Sequence, residues 1–346
     1  MSPGTGPTPR RHILITGASS GIGFQAALLL ARAGHRLTLP CRDAATGDRL
    51  RERLPTPVHT PCCDLADWSE VRSCAAGLLQ DGAPLDTLVL NAGLQDSGAP
   101  APRWSAQGFE LTVAVNHLAQ QGLLQLLLPL LQRSAAPRLV ITASEVHDPA
   151  TPGGRVGPPA GLGDLAGLRR GPGAPMLDGS PVFQAEKAYK DSKLATVLLG
   201  RELERRLRER GLFWPVLVWS PGLVIPREPE GFFRYSRRHN PLGQQLFALL
   251  ARDLLRLTET PEKAGALLAG LAADPLDEPA GFQYWSNRVL GPGRHGFARQ
   301  QPSEEARRDD LARELWRLSA AQLGLAEDCG FSPVAGSAAT GGTGAG

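Results

Sequence analysis

The chain has 346 residues, 42% of them hydrophobic, with 40 glycines, 30 prolines and a formal net charge of +3. That length and apolar content support a sizeable core in one large domain or two small ones, and exclude a disordered chain. The charge is too mild to argue for a nucleic-acid partner. The five cysteines have neither the spacing of a zinc site nor that of a disulfide framework, so free thiols, no metal and a reducing, cytoplasmic compartment are expected.

Residues 1–11 are Gly/Pro-rich, lack the apolar run of a signal peptide, and are expected to be disordered. "HILIT" then reads as a strand leading into a helix from Ile22 to Ala33, which Gly34 ends. "RLTLPC" predicts a strand, "DRLRERL" a helix, "PVHTPCC" a strand and "SEVRSCAAGLLQ" a helix. The strand "LDTLVLN" and one long helix, "GFELTVAVNHLAQQGLLQLLLPLLQ", follow, and then the strand "RLVITAS". In "AYKDSKLATVLLGRELERRL" apolar residues recur at helical spacing through Leu194, Val197, Leu198 and Leu203, before the strand "PVLVWS". No apolar stretch reaches the ~18 residues of a membrane-spanning helix. Strands alternating with helices predict a Rossmann-type α/β fold, a doubly wound parallel sheet in a single domain over residues 12–327. Two segments break the rhythm: a Gly/Pro-rich insertion at 145–183, and a segment at 226–260 whose helix "LGQQLFALLARDLLRL" lies outside the sheet pattern and suits a lid. Both leave the carboxyl ends of strands, where ligands bind in such sheets. Residues 328–346 read as a disordered tail.

"ILITGASSGIG" places Gly17, Gly21 and Gly23 between a strand and a helix, in the context of a dinucleotide site. There the loop, with Ser19, Ser20 and Ile22, brings backbone N–H groups and a helix N-terminus to a pyrophosphate. The second strand ends in Arg42 and Asp43; arginine suits the 2′-phosphate of NADPH and aspartate the ribose of NADH, and Arg42 comes first. Tyr189 and Lys193 are four apart on one helix face. An ammonium beside a phenol of ordinary pKa about 10 lowers that pKa and makes proton transfer practicable.

Taken together, "TGASSGIG", Asn91–Ala92–Gly93, Asn116, Ser144, and Tyr189 with Lys193 resemble, in order and spacing, the short-chain dehydrogenase/reductase family over residues 12 to 225. The resemblance implies a relay with Tyr189 as acid, Lys193 tuning it and holding the nicotinamide ribose, and Ser144 binding substrate. It implies that Asn116 positions a water for Lys193, that Asp64 and Leu65 contact the adenine, and that Asn91–Gly93 and Pro221–Gly222 flank the cofactor. Read singly, Asn116 also suits a helix irregularity and Ser144 a strand end.

Within that family, "AYKDSK", "GLGDLAGLRRG", "GFQYWS" and "ARELWRLSAAQLGL" resemble the light-dependent protochlorophyllide reductases over nearly the whole ordered chain. That implies an NADPH-dependent reduction of a ring double bond in protochlorophyllide, a Mg-tetrapyrrole, beside a photosynthetic membrane. Two cysteines of those enzymes are replaced here by Leu223 and Ala195. A light-independent reductase of a bulky lipophilic carbonyl and a non-catalytic tetrapyrrole-binding protein therefore stand as alternatives. The lid's Phe232, Phe233 and neighbouring arginines suit peripheral membrane contact, and an oligomer stays open.

Overall fold

Short apolar runs, continuous rather than alternating, pair side by side at the centre of the molecule because they can be covered on both faces. The computed structural model describes residues 9–225, 257–277 and 280–331, with residues 232, 234–239, 241, 245 and 249 between them. The first half holds β1 (His12–Ile15), α1 (Gly21–Arg32), β2 (Arg36–Thr38), α2 (Ala44–Arg53), α3 (Trp68–Asp81), β3 (Thr87–Leu90) and the interrupted helix α4, from Leu111 to Leu131. There follow β4 (Arg138–Thr142), α5 (Ala185–Glu209), β5 (Pro215–Ser220), α6 (Pro261–Ala273), β6 (Gly281–Gly291), β7 (Arg294–Arg299) and α7 (Asp309–Gln322).

The sheet order is β2-β1-β3-β4-β5-β6-β7, parallel throughout except for β7, which runs antiparallel to β6. This is the expected doubly wound α/β fold. Alternate strand residues face opposite layers. Leu14, Leu88, Leu139, Ile141, Val216 and Val218 pack with α3, α4, α5 and α7. Ile13, Ile15, Val89, Val140, Leu217 and Trp219 pack with α1 and α6. A Cβ on Gly200 of α5 would stand 2.4 Å from Val218 Cγ2, so this glycine lets α5 press directly on β5.

The structure departs from the sequence pattern at four places. "PVHTPCC" forms only isolated parallel bridges, Thr38 to His59 and Cys41 to Cys62, because Pro61, between the donors His59 and Cys63, has no N–H to give. The long helix α4 is three consecutive pieces, with π-helical Ala114–Leu118 between α-helical Leu111–Val113 and Ala119–Leu131. β6 and β7 complete the sheet beyond the last strand read from the sequence. The insertion is not a loose loop: Leu162, Leu165, Leu168 and Leu177 join the core, and short helices form at Pro152–Arg155 and Ala166–Arg170.

The ends hold more tightly than expected. The Arg11 backbone N–H donates to His35 Nδ1 at 3.1 Å. Asp328 pairs with Arg206 at 3.0 Å, and Phe331 lies beneath the Arg210 guanidinium at 4.2 Å, so the first residues of the expected tail belong to the fold. Residues 1–8 and 332–346, and most of the lid at 226–260, lie outside the described residues. All five cysteines are free thiols. Among the described residues no helix is long and apolar enough to cross a membrane.

Candidate active site

Successive connections from β1 and β3 run to opposite sides of the sheet, which opens a crevice at their carboxyl ends. The crevice is a cleft of about 1590 Å³. Every cofactor and catalytic residue expected from the sequence lines it except Asn116.

The glycine loop shapes one end. Gly17 has φ +70°, and a Cβ there would lie 2.7 Å from Ala92 Cα; a Cβ on Gly23 would lie 2.3 Å from the Gly17 carbonyl oxygen. α1 begins at Ser20 with no side-chain cap and no acidic residue in its first turn. Its leading N–H groups are therefore left to an outside acceptor, and the positive end of the helix favours an anion. A loop that only glycine can form, set before an uncapped helix, fits a dinucleotide pyrophosphate. At the rim, Asp43 accepts the Thr46 N–H at 2.7 Å as the cap of α2, and its hydrogen bonds to Thr46 hold its carboxyl below the usual range. The Arg42 guanidinium, paired with Asp43 at 3.4 Å, remains half exposed on the cleft wall. Asp64 caps its own turn by accepting the Ala66 N–H at 3.0 Å, beside Leu65 on the same wall.

The floor is a hydrogen-bonded network that sequence reasoning missed. The Thr16 hydroxyl oxygen accepts the N–H groups of Asn91 and Ala92, each at 3.0 Å. Asn91 Nδ2 donates to the Thr16 carbonyl at 3.1 Å, and its Oδ1 accepts from the Thr142 hydroxyl at 3.2 Å. Trp219 Nε1 donates to Thr142 Oγ1 at 2.9 Å, and Gln120 Nε2 to the Ala92 carbonyl at 2.9 Å. These bonds join the ends of β1, β3, β4 and β5. They link residues tens of positions apart, and no local spacing signals them.

The chemistry-bearing groups sit where α5 crosses the ends of β4 and β5. Ser144 caps the short helix Glu145–His147, and its hydroxyl lies beside the Tyr189 phenol. His147 Nδ1 donates to the Ser144 carbonyl at 2.7 Å while its Nε2 accepts the Ser303 N–H at 3.3 Å. That pairing fixes one neutral tautomer, and burial pushes the imidazole pKa down. The Lys193 ammonium is buried and donates to the Thr142 carbonyl at 2.9 Å. Asn116 stands behind the cleft on the π-helical turn, as a helix irregularity. Its side chain accepts the Leu94 N–H at 2.8 Å and donates to the Leu94 carbonyl and to Ser192 Oγ at 2.9 and 3.0 Å. Those contacts use both Nδ2 hydrogens and leave Oδ1 one free lone pair.

The Lys193 ammonium lies 5.9 Å from the Tyr189 ring centroid and turns to the Thr142 carbonyl. Burial raises the phenol pKa, with the neighbouring Ser144 hydroxyl opposing it. The same burial lowers Lys193 to about 8. Phe232 meets Tyr189 edge-on at 5.5 Å, so this lid residue faces the site; Phe233 lies outside the described residues. Leu223, packed with Ile225 and Phe232, lines the cleft, whereas Ala195 is enclosed in the core. Of the two cysteine replacements, only Leu223 bears on the site.

The family model described as short chain dehydrogenase matches residues 11–155. Protochlorophyllide reductase A, chloroplastic, of Oryza sativa subsp. japonica is 36% identical over 324 residues, covering 90% of this chain and 80% of that relative. The protochlorophyllide reductase of Avena sativa is 36% identical over 328 residues, covering 91% of this chain and 100% of that relative. Among solved structures, an uncharacterized protein from Mycobacterium paratuberculosis superposes with a TM-score of 0.65 at 26% identity, covering 92% of this chain and 96% of that one.

The buried ammonium gives a pH signature. Between about pH 8 and the usual lysine value of 10.5, the unfolded chain keeps a proton that folded Lys193 has lost. Its contribution to stability therefore rises with pH across that window. The chain has four lysines, Lys187, Lys190, Lys193 and Lys263, so side-chain NMR is readily assigned with Lys193→Met. A Lys193 midpoint near 8 in the cofactor-free protein is expected; one above 10 contradicts the burial argument.

Proposed function

Since this chain belongs to the short-chain dehydrogenase/reductase family and is an NADPH-dependent oxidoreductase, we propose that it reduces a ring double bond of a protochlorophyllide-type tetrapyrrole, the step that gives chlorophyllide. The observation that carries this reading is the size of the cleft. Sites for one small molecule occupy roughly 300–1000 Å³, and about 1590 Å³ leaves room for a dinucleotide and a second large molecule. The wall opposite the glycine loop is built from the insertion, Leu223 and Phe232, and is largely apolar, which suits a flat lipophilic ring system. Similarity to protochlorophyllide reductases over about nine-tenths of the chain supports the same substrate class.

NADPH supplies the hydride when bound. In this reading the Gly17–Gly23 loop and the start of α1 hold its pyrophosphate, Arg42 its 2′-phosphate, and Lys193 its nicotinamide ribose. Tyr189, kept protonated by burial, gives a proton to the reduced ring, and Ser144 orients the group that receives it. A phenol held in its acid form suits reduction rather than oxidation. A second reading is favoured by Leu223, which can pack against a pigment but cannot give a proton. The intact Ser144, Tyr189 and Lys193 would then serve light-independent reduction of a bulky carbonyl.

Two measurements test these assignments. Arg42→Ala is expected to weaken NADPH at least tenfold and leave NADH nearly unchanged, since a charge-assisted phosphate contact contributes roughly 1.5–3 kcal/mol. Equal effects on both cofactors would remove Arg42 from the phosphate site. For the substrate, absorption spectra of the protein with NADPH and protochlorophyllide are taken before and after a flash. A red shift to a chlorophyllide-like band is expected. Pigment binding without conversion would make the chain a tetrapyrrole-binding protein, and no binding would leave the carbonyl reductase.

A further inference from the structure

Between Tyr189 and Lys193 the helix carries a third polar side chain that the reaction does not use. Lys190 is 4% exposed, yet among the described residues it makes no ion pair with a carboxylate. Its ammonium donates instead to three backbone carbonyls of the insertion, those of Gly154 at 2.9 Å, Val156 at 2.6 Å and Pro158 at 2.9 Å. An ammonium offers three rotatable donors on a compact head, and here each finds an acceptor.

The segment it grips has little else to hold it against the helix. Thr151 winds it locally, its one hydroxyl proton shared between the carbonyls of Glu145 and Asp148 at 2.9 and 2.8 Å and its oxygen accepting the Gly154 N–H at 3.0 Å. From Ala150 to Val156 only Gly154 is buried, and Val156 is 73% exposed although it lines the cleft. No apolar core anchors this stretch. Just beyond it, Asp191 accepts the Gly161 N–H at 2.9 Å and Lys187 donates to the Gly161 carbonyl at 2.7 Å. The wall is thus suspended between two polar clamps that both arise from α5.

We propose that Lys190 is a positioning residue that holds the 150–156 wall over the substrate half of the cleft, and so sets which bulky substrates fit. The inference rests on the functional reading above for its substrate class. Because Lys190 and Tyr189 are adjacent on one helix, the wall and the acid are fixed to the same frame. The glycine loop and Arg42 lie at the other end of the cleft and do not depend on it.

Lys190→Met keeps the length of the side chain and removes the donors. In the full chain, amide hydrogen exchange over 148–158 is expected to quicken by about tenfold or more, while β4 and α1 keep their protection. In steady-state assays with protochlorophyllide, KM is expected to rise about tenfold or more, with kcat within about threefold and the NADPH Kd within about twofold of wild type. Unchanged exchange overturns the proposal. Faster exchange with an unchanged KM also overturns it, because the wall would not face substrate. A parallel rise in KM and NADPH Kd would show general loosening and overturn it too. If the wild-type protein takes no protochlorophyllide, the functional reading fails separately. The same variant is then compared by exchange and by the KM of a lipophilic carbonyl that the wild type reduces, with the same outcomes deciding.

Discussion

The Lys193 ammonium lies in the interior with one backbone carbonyl, that of Thr142, as its acceptor among the described residues. A buried charge without a carboxylate partner is costly, and here its pKa falls to about 8 as a result. The surrounding structure must hold that carbonyl and that side chain together. Thr142 is fixed through its hydroxyl, which bonds Asn91 just past β3 and Trp219 on β5. Lys193 is fixed by α5, which Gly200 allows to lie directly on β5 and which Ser192 ties to Asn116. A cation poised in this way at the open end of the sheet has donors to spare for a polar ligand. The ribose of a bound nicotinamide cofactor suits that place.

The cleft has two sides built by different physics. On the cofactor side, close backbone approach and an uncapped helix end leave little freedom: a side chain at Gly17 or Gly23 would collide with neighbouring backbone. On the other side the insertion contributes exposed apolar residues such as Val156 and is secured by polar contacts to α5. The whole "YKDSK" run is thereby engaged. Tyr189 and Lys193 face the cleft, Lys190 and Asp191 hold the insertion, and Ser192 reaches Asn116. One helix thus sets the Tyr189 phenol, the Lys193 ammonium and the insertion wall in a common frame.

Much of this was legible in the sequence, for physical reasons. The glycine spacing and the Tyr189–Lys193 pair are local patterns, and buried parallel strands announce themselves as continuous apolar runs. The Thr16, Gln120, Thr142 and Trp219 contacts were not legible, since they join strands that meet only in the folded sheet. The π-helical turn at Ala114–Leu118 was hidden because the apolar pattern runs through it unbroken. β6 escaped notice because Gln283, Ser286, Asn287 and Arg288 interrupt its apolar residues. The expected effect of Lys193 on Tyr189 was drawn from helix spacing alone. The direction of the ammonium, toward Thr142, is a tertiary fact.

The central claim is that Tyr189, kept in its acid form by burial beside Ser144, gives the proton that completes reduction. Turnover and NADPH binding of Tyr189→Phe test it most directly, in whichever reductive assay the wild type supports. A positioned acid typically contributes ~100- to 10,000-fold, so turnover should fall within that range while NADPH binding stays close to wild type. Turnover equal to wild type would contradict the account, whatever the substrate.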